Sequence, residues 1–328
     1  ANRYALDGEN LSEELTELIC SAVFSPVMDE ECMFPEEFFN QERRQLLETI
    51  DSDFNDKKTY AKGKCVELMF ANEPAGVKRY GTKEAVLKIE RETLLSAWLN
   101  IVQRGRFELC VLGDCDFNTV YKTFHRYFDL ERFPVELSNR IVLRADKVNE
   151  VTETMQLSQS KLVMGFRIGV IPEDSVATRV MCVLFGGSAS SKLFVNVREK
   201  LSLCYYCSSR LNEIKGTLFV ESGVECANIE KAKGAILEQL QDICAGKFTP
   251  EDLTYAKLSM NNSYKAVGDS LYATENWYLN QIFSEEILAP EEMAEKVSVV
   301  TRLDVIEAAR KVTLDTVYIL KGVEKDGQ

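Results

Sequence analysis

The sequence predicts an α+β protein in which one module is used twice, the first copy being incomplete. Three observations carry this. Helix-type apolar spacing fills residues 10–128 and 228–311, whereas alternating strand-type runs gather at 151–168, 203–225 and 316–322. The two halves repeat one another in a sustained register. A chain of 328 residues is long enough for roughly two domains. The expected division is 1–135 for the remainder of a first domain, 136–150 for a linker and 151–328 for a second domain.

In chain order, Ser12 with the acids behind it is a candidate N-cap for a helix with Leu15, Leu18, Ile19 and Val23 on its apolar side, stopping near Pro26. Pro35 sits in the first turn of a second helix carrying Phe38, Leu46, Leu47 and Ile50. Asn55-Asp56-Lys57 breaks it, and a third helix covers Thr59 to Asn72. Thr82 opens a short helix to Ile89, and Arg91–Gln103 forms another. Phe107–Asp114 reads as a strand ending in a turn, and Asn118–Phe128 as an amphipathic helix. Val151–Leu157 and Lys161–Ile168 read as a strand pair joined by polar Ser158-Gln159-Ser160. Asp174 begins a helix to Phe185; Gly216–Glu225 is a strand; Asn228–Cys244 and Pro250–Val267 are helices. Further helices occupy 270–311, and Thr316–Gly322 closes the chain as a strand.

The repeat rests on Pro35-Glu36-Glu37-Phe38 against Pro250-Glu251-Asp252-Leu253, and on Tyr60-Ala61 against Tyr272-Ala273. The helix at 89–103 with the strand at 109–113 also matches 299–312 with 317–322. On this register residues 151–226 have no counterpart in the first half, so about 60 to 100 residues of the first module are expected to be absent from this chain.

Composition excludes several classes. Hydrophobic residues make up 45%, which allows a sizeable core, and the net charge is −13 with no basic run, which argues against nucleic acid and anionic membranes. No apolar stretch is long enough to span a bilayer. The ten cysteines are scattered among apolar neighbours, as buried free thiols are, and suit a reducing cytoplasm.

The most informative stretch is Phe185–Leu211. Gly186 and Gly187 precede a serine-rich helix start; Leu193, Phe194 and Val197 line the helix; Arg198, Glu199 and Lys200 end it; and Leu203–Ser208 alternates as a strand. Arg198 and Tyr205 flank the turn, where a cation and a phenol could hold a carbonyl or oxyanion. The same two residues also fit an arginine favoured by a helix C-terminus beside a half-buried strand tyrosine.

Gly186-Gly187-Ser188, Ser191-Lys192-Leu193-Phe194, Val197-Arg198-Glu199-Lys200 and Leu203-Cys204-Tyr205 together resemble the GG-x₃-S-x-LF … REK-x₂-L-x-Y signature of the M16 peptidases, the pitrilysin and processing-peptidase relatives, in their second, non-zinc domain. The resemblance covers nearly the whole chain. It implies two similar modules of the LuxS/metallohydrolase-like type, each a mainly antiparallel sheet covered by helices, facing one another around a chamber. It also implies that Arg198 and Tyr205 help hold the substrate's scissile carbonyl, and Gly186 and Gly187 of the glycine-rich turn are expected beside them as substrate-binding residues.

The departures from the family pattern matter as much. Active members carry H-x-x-E-H, whose histidines hold zinc. The only histidine here is His125, on a helix away from the motif's place. The family's third ligand is a glutamate seven residues after another; Glu42 fits the first, but Thr49 holds the ligand position with Glu48 one step, about 100°, away. Glu42–Ala61 resembles the bacterial non-catalytic relatives, which are often encoded beside an active partner.

Other chemistries are weaker. Cys204-Tyr205-Tyr206-Cys207 is the one CxxC, and residues three apart on a regular strand point to opposite faces. Glu36/Glu37 and Glu291/Glu292 sit in helix first turns, where the dipole favours acids. Trp98 and Trp277 lie in apolar helical settings. The expectation is a non-catalytic subunit that binds peptide or unfolded polypeptide and forms a homo- or heterodimer with an M16 partner, no metal being held by this chain. The rivals are a full-length zinc endopeptidase and a homodimeric peptide-binding scaffold.

Overall fold

The structure, a computed structural model, describes residues 9–129, 131–135, 142–169, 176–284 and 286–323. Its elements are α1 (Leu11–Phe24), α2 (Glu36–Asn55), α3 (Lys57–Met69), α4 (Lys83–Leu87), α5 (Arg91–Arg104), α6 (Phe117–Phe128), β1 (Asn149–Gln156) and β2 (Ser160–Arg167). They continue with α7 (Val176–Cys182), two π-helical segments (Val183–Gly187 and Leu193–Lys200), β3 (Cys204–Asn212) and β4 (Thr217–Val224). The chain then runs through α8 (Ile229–Cys244), α9 (Pro250–Lys265), α10 (Leu271–Leu279), α11 (Pro290–Val299), α12 (Arg302–Arg310) and β5 (Thr313–Val323). The sequence-expected helix start at Asp174 and residues 136–141 of the expected linker lie outside the described residues.

Two compact units result: Ala1–Asp51 with Tyr80–Asn139, and Ser52–Arg79 with Arg140–Gln328. The expected division follows the sequence repeat, whereas these units follow contact. They differ from it in one segment, Ser52–Arg79, which carries α3 onto the sheet of the second unit.

The first unit is helical. α1 packs on α6, turning Ser12, Thr16 and Cys20 inward, so that Leu15, Leu18, Ile19 and Val23 are exposed, the reverse of the face expected from apolar spacing. Ser12 is not the cap: the helix begins at Leu11 after Asn10, and the Ser12 hydroxyl accepts from the Asp116 N–H at 3.3 Å. Residues 107–114 form no strand. Phe107 instead joins an aromatic cluster with Phe24 (5.4 Å) and Phe128 (5.3 Å), capped by the Arg132 guanidinium 4.8 Å from its ring. A strand needs a ladder, and among the described residues no segment pairs with this one. Trp98 is half-buried, its indole N–H donating to the Val23 carbonyl at 2.8 Å.

The second unit is a five-stranded sheet of order β1-β5-β2-β4-β3, with helices on it. β1 runs parallel to β5 and the other pairings are antiparallel. The expected β1–β2 pair is therefore split by β5. The reason is burial: Thr316–Leu320 of β5 and Leu162–Arg167 of β2 are buried without interruption, as central strands are, while β1 alternates polar and half-buried residues, as an edge does.

The two faces have separate cores. Leu162, Met164, Phe166, Leu218, Val220, Val317 and Ile319 meet α7, α8, α9, α11 and α12. On the opposite face Ala61, Cys65, Met69 and Phe70, at α3, meet Val163, Phe219, Tyr318 and Leu320. A Cβ at Gly165 would lie 2.7 Å from the Met69 sulfur, so glycine is what lets α3 seat this closely. Asp56 caps α3, accepting from the Lys58 N–H and the Thr59 hydroxyl. Arg167, 2% exposed, locks the loop after α3 by bonding Glu73, Asp315 and the Met69 carbonyl.

Candidate functional site

Arg198 ends the π-helical segment Leu193–Lys200, whose wide winding shows in the bond from the Leu201 N–H to the Asn196 carbonyl. The chain reverses at Ser202, which takes a left-handed conformation (φ 50°), and the Leu203 N–H bonds back to the Val197 carbonyl. β3 then starts with a bulge. Cys204 is opposite Val224 and Tyr206 opposite Gly223, so Tyr205 is an extra residue with no partner in the ladder. The bulge turns Tyr205 outward, 57% exposed, where its hydroxyl donates to Glu225 at 3.2 Å. Arg198 stacks on Phe194, 4.5 Å from the ring centroid, and approaches Glu199 at 3.6 Å. The turn brings the two expected site residues to one end of β3, yet each has its own neighbour and no hydrogen bond joins them.

The same bulge corrects the expectation for the two cysteines. Without it they would face opposite ways; with it both pack against the inner core and their thiols interact. The Cys204 thiol is held down to about 7, first by a hydrogen bond from Cys207, with Ser222 and the charge of Arg198 adding to it against burial. Cys207 moves the opposite way, raised by that shared hydrogen bond and by burial.

Gly186 and Gly187 end the π-helical segment Val183–Gly187, which meets β3 at Ser209, away from Tyr205. They border a cleft of about 530 Å³ with Lys58, Lys62, Ser208, Arg210 and Glu221. A Cβ at Gly186 would fall 2.7 Å from both the Leu193 side chain and the Ser209 backbone nitrogen, so this glycine is where the π turn meets β3. A second cleft, of about 670 Å³, shares Lys62 and Arg210 with the first and is floored by Phe70, Phe219, Tyr264 and Trp277. Trp277 stacks edge-on against Tyr264 at 5.1 Å and donates to the Leu288 carbonyl at 2.8 Å. Sequence reading missed Lys58, Lys62 and Arg210. The one local signal was Ser208 and Arg210 alternating on a strand; the lysines arrive from about 150 residues away through α3.

The residues expected around a third metal ligand lie on α2 of the first unit. Glu42 and Glu48 are exposed on α2, and Thr49 spends its hydroxyl on the Gln45 carbonyl at 2.9 Å. His125 sits on α6 with its ring 6.0 Å from Tyr121. Among the described residues no three His, Cys, Asp or Glu side chains cluster as a metal site. No helix among them is long and apolar enough to cross a membrane.

A two-unit chain whose helix-covered mixed sheet carries a Gly-Gly π turn and an Arg–Tyr helix-to-strand reversal has the architecture of the M16 peptidases. The profile for the peptidase M16 inactive domain matches residues 88–260. The Bacillus subtilis (strain 168) protein "Probable inactive metalloprotease YmfF" is 32% identical over 325 residues, 98% of this chain and 76% of that protein. The chain belongs to the M16 peptidase family. A conserved protein from Enterococcus faecalis V583 superposes with a TM-score of 0.90 at 25% identity, over 100% of this chain and 78% of that one. A peptidase M16 inactive domain from Pseudomonas fluorescens superposes at 0.78 and 15% identity, over 96% of this chain and 76% of the other.

Proposed function

We propose that this chain is a non-catalytic M16 subunit that holds an extended peptide and completes a chamber with a zinc-bearing partner. The observation that carries the reading is β3 itself. It is an outermost strand with Tyr205 and Arg198 at its start and clefts beside its middle. Among the described residues its outer side takes no backbone hydrogen bond, the arrangement that accepts an added strand. The absence of catalysis is supported by Thr49 at the third-ligand position and by the "inactive" in the names of the Bacillus and Pseudomonas relatives.

Two measurements test this. Metal analysis and peptide cleavage on the protein expressed from its complete gene are expected to show no stoichiometric zinc. Zinc at one per chain with chelator-sensitive cleavage would establish the enzyme instead. Affinity purification from the native cell is expected to recover a protein bearing H-x-x-E-H. Recovery of homodimers alone would favour the scaffold reading.

A further inference from the structure

The chain carries a net charge of −13, yet the two clefts along β3 gather the cations Lys58, Lys62, Arg179, Arg210 and Lys215 against the acids Asp56, Glu213 and Glu221. All three acids are already engaged. Asp56 caps α3, Glu213 grips Arg179 through two 2.7 Å bonds, and Glu221 takes Lys62 at 2.6 Å and Lys58 at 3.8 Å. Among the described residues Arg210 makes no ion pair, and it lines both clefts. The groove is net positive, five cations against three acids.

The groove also has an apolar end. Phe70 and Phe219 lie 6.5 Å apart in its floor, beside the Tyr264–Trp277 pair, and Ile214 of the β3–β4 turn, 48% exposed, overhangs it. A volume of about 670 Å³ lies within the ordinary range for a side-chain or small-ligand site. Tyr206, Ser208 and Arg210 alternate on the α3 side of β3, so a strand added at this edge would place every second side chain over the groove, roughly 7 Å apart.

From this we infer that the groove between β3 and α3 selects extended peptides bearing a carboxylate side chain, seated on Arg210, next to a large apolar one, seated over Phe219 and Trp277. The inference rests on the reading of β3 as a peptide-binding edge and adds the chemistry of the peptide. A lone guanidinium beside a low-dielectric aromatic wall attracts a carboxylate more strongly than it would in open water, and the like charges around it exclude a basic peptide.

The test uses the full chain and fluorescein-labelled decapeptides, by anisotropy at about 0.15 M salt, where surface charges interact over roughly 8 Å. One peptide has glutamates at alternate positions and a central phenylalanine. A twin replaces glutamate with lysine, and a third carries proline at the alternate positions. The glutamate peptide is expected to bind at least ~10-fold tighter than its lysine twin, a difference of ~1.4 kcal/mol. Arg210→Glu, at an exposed position that makes no ion pair among the described residues, is expected to weaken the glutamate peptide by ~10-fold and to strengthen the lysine twin. Ile214→Ser, which removes the apolar contact without adding charge, is expected to weaken both.

Each failure points to a different step. Equal binding of the twins would overturn the charge selection while leaving β3 as a peptide edge. Undiminished binding of the proline peptide, which cannot pair along a strand, would overturn the strand geometry. Absence of binding by any of the three at millimolar concentration would overturn both this inference and the peptide-binding reading beneath it. A concentration-dependent dimer that Arg210→Glu dissociates would assign the edge to a second copy of the chain instead.

Discussion

The two glycines of the Gly-Gly turn should behave differently when each receives a methyl group. At Gly186 the new Cβ would stand 2.7 Å from the Leu193 Cδ1, 2.7 Å from the Ser209 nitrogen and 2.8 Å from the Ser209 hydroxyl. None of these can yield freely. Leu193 is fully buried, and Ser209 is held opposite Val220 in the ladder while its hydroxyl donates to the Cys182 carbonyl at 3.0 Å. Relief requires moving β3 away from the π turn. Overpacking of this kind costs ~1–3 kcal/mol. At Gly187 the nearest atoms are the Cys182 carbonyl oxygen and the Val183 Cγ2, both at 3.3 Å, and its backbone is not left-handed. Alanine there trades a small crowding cost against the ~0.5–1 kcal/mol by which it favours helical backbone over glycine. The assay is urea unfolding followed by Trp277 fluorescence in a Trp98→Phe background, which reports the sheet-bearing unit. With a slope of about 3 kcal/mol/M, a ~2 kcal/mol loss lowers the midpoint for Gly186→Ala by roughly 0.7 M, and Gly187→Ala stays within about 0.2 M of the parent. Equal midpoints for the two variants, or a larger loss at Gly187, would refute the packing argument.

Arg167→Met should destabilise the same unit by ~3–5 kcal/mol, because it leaves Glu73 and Asp315 buried without their cation; a loss below ~1 kcal/mol in the same urea assay would show the triad to be dispensable. Cys204 should be alkylated by iodoacetamide with a rate that rises through pH about 7, since a lowered thiol pKa makes the reactive thiolate the major form above that pH. Cys65 and Cys182, pushed by burial up to about 12 and about 11, should remain unlabelled in the folded protein at pH 8, and a Cys204 midpoint near 9 by mass spectrometry would contradict the bulge geometry.

Much of the fold is legible locally. Asp56, Thr82, Thr249 and Thr301 start helices because their side chains accept the backbone N–H groups that a helix start leaves free, an interaction confined to four residues. The errors come from partners distant in sequence. Phe107–Asp114 has strand-like alternation, but pairing decides a strand, and its apolar residues go to an aromatic cluster instead. Val151–Leu157 and Lys161–Ile168 look like a hairpin because nothing local reveals that β5, some 150 residues on, inserts between them. The apolar spacing of α1 gives its helical period correctly, but period alone does not say which face packs on α6. For the site, the Gly-Gly turn and the Arg198–Tyr205 reversal lie within one continuous stretch and could be read. The basic groove could not, because Lys58, Lys62 and Arg210 meet only after α3 has docked on the sheet.

The bulge at Tyr205 leads to a sharper test of what that residue is for. In the ladder Cys204 meets Val224 and Tyr206 meets Gly223, consecutive residues on β4, so β3 pairs as if Tyr205 were not there. Deleting Tyr205 would leave Cys204, Tyr206 and Cys207 in unbroken alternation, with both thiols still on the inner face two positions apart. Among the described residues the side-chain hydrogen bond it removes is the exposed one to Glu225, worth about 1 kcal/mol or less. The deletion variant should therefore fold with a urea midpoint within about 0.5 M of the parent, and Cys204 should keep its early alkylation midpoint. An ordinary strand tyrosine could not be removed so cheaply, since losing one residue reverses every side chain beyond it. If the variant fails to fold, Tyr205 is part of the framework. If it folds and loses peptide binding, the sheet carries this residue for what it presents to solvent, which is the expected outcome for a side chain that meets a ligand.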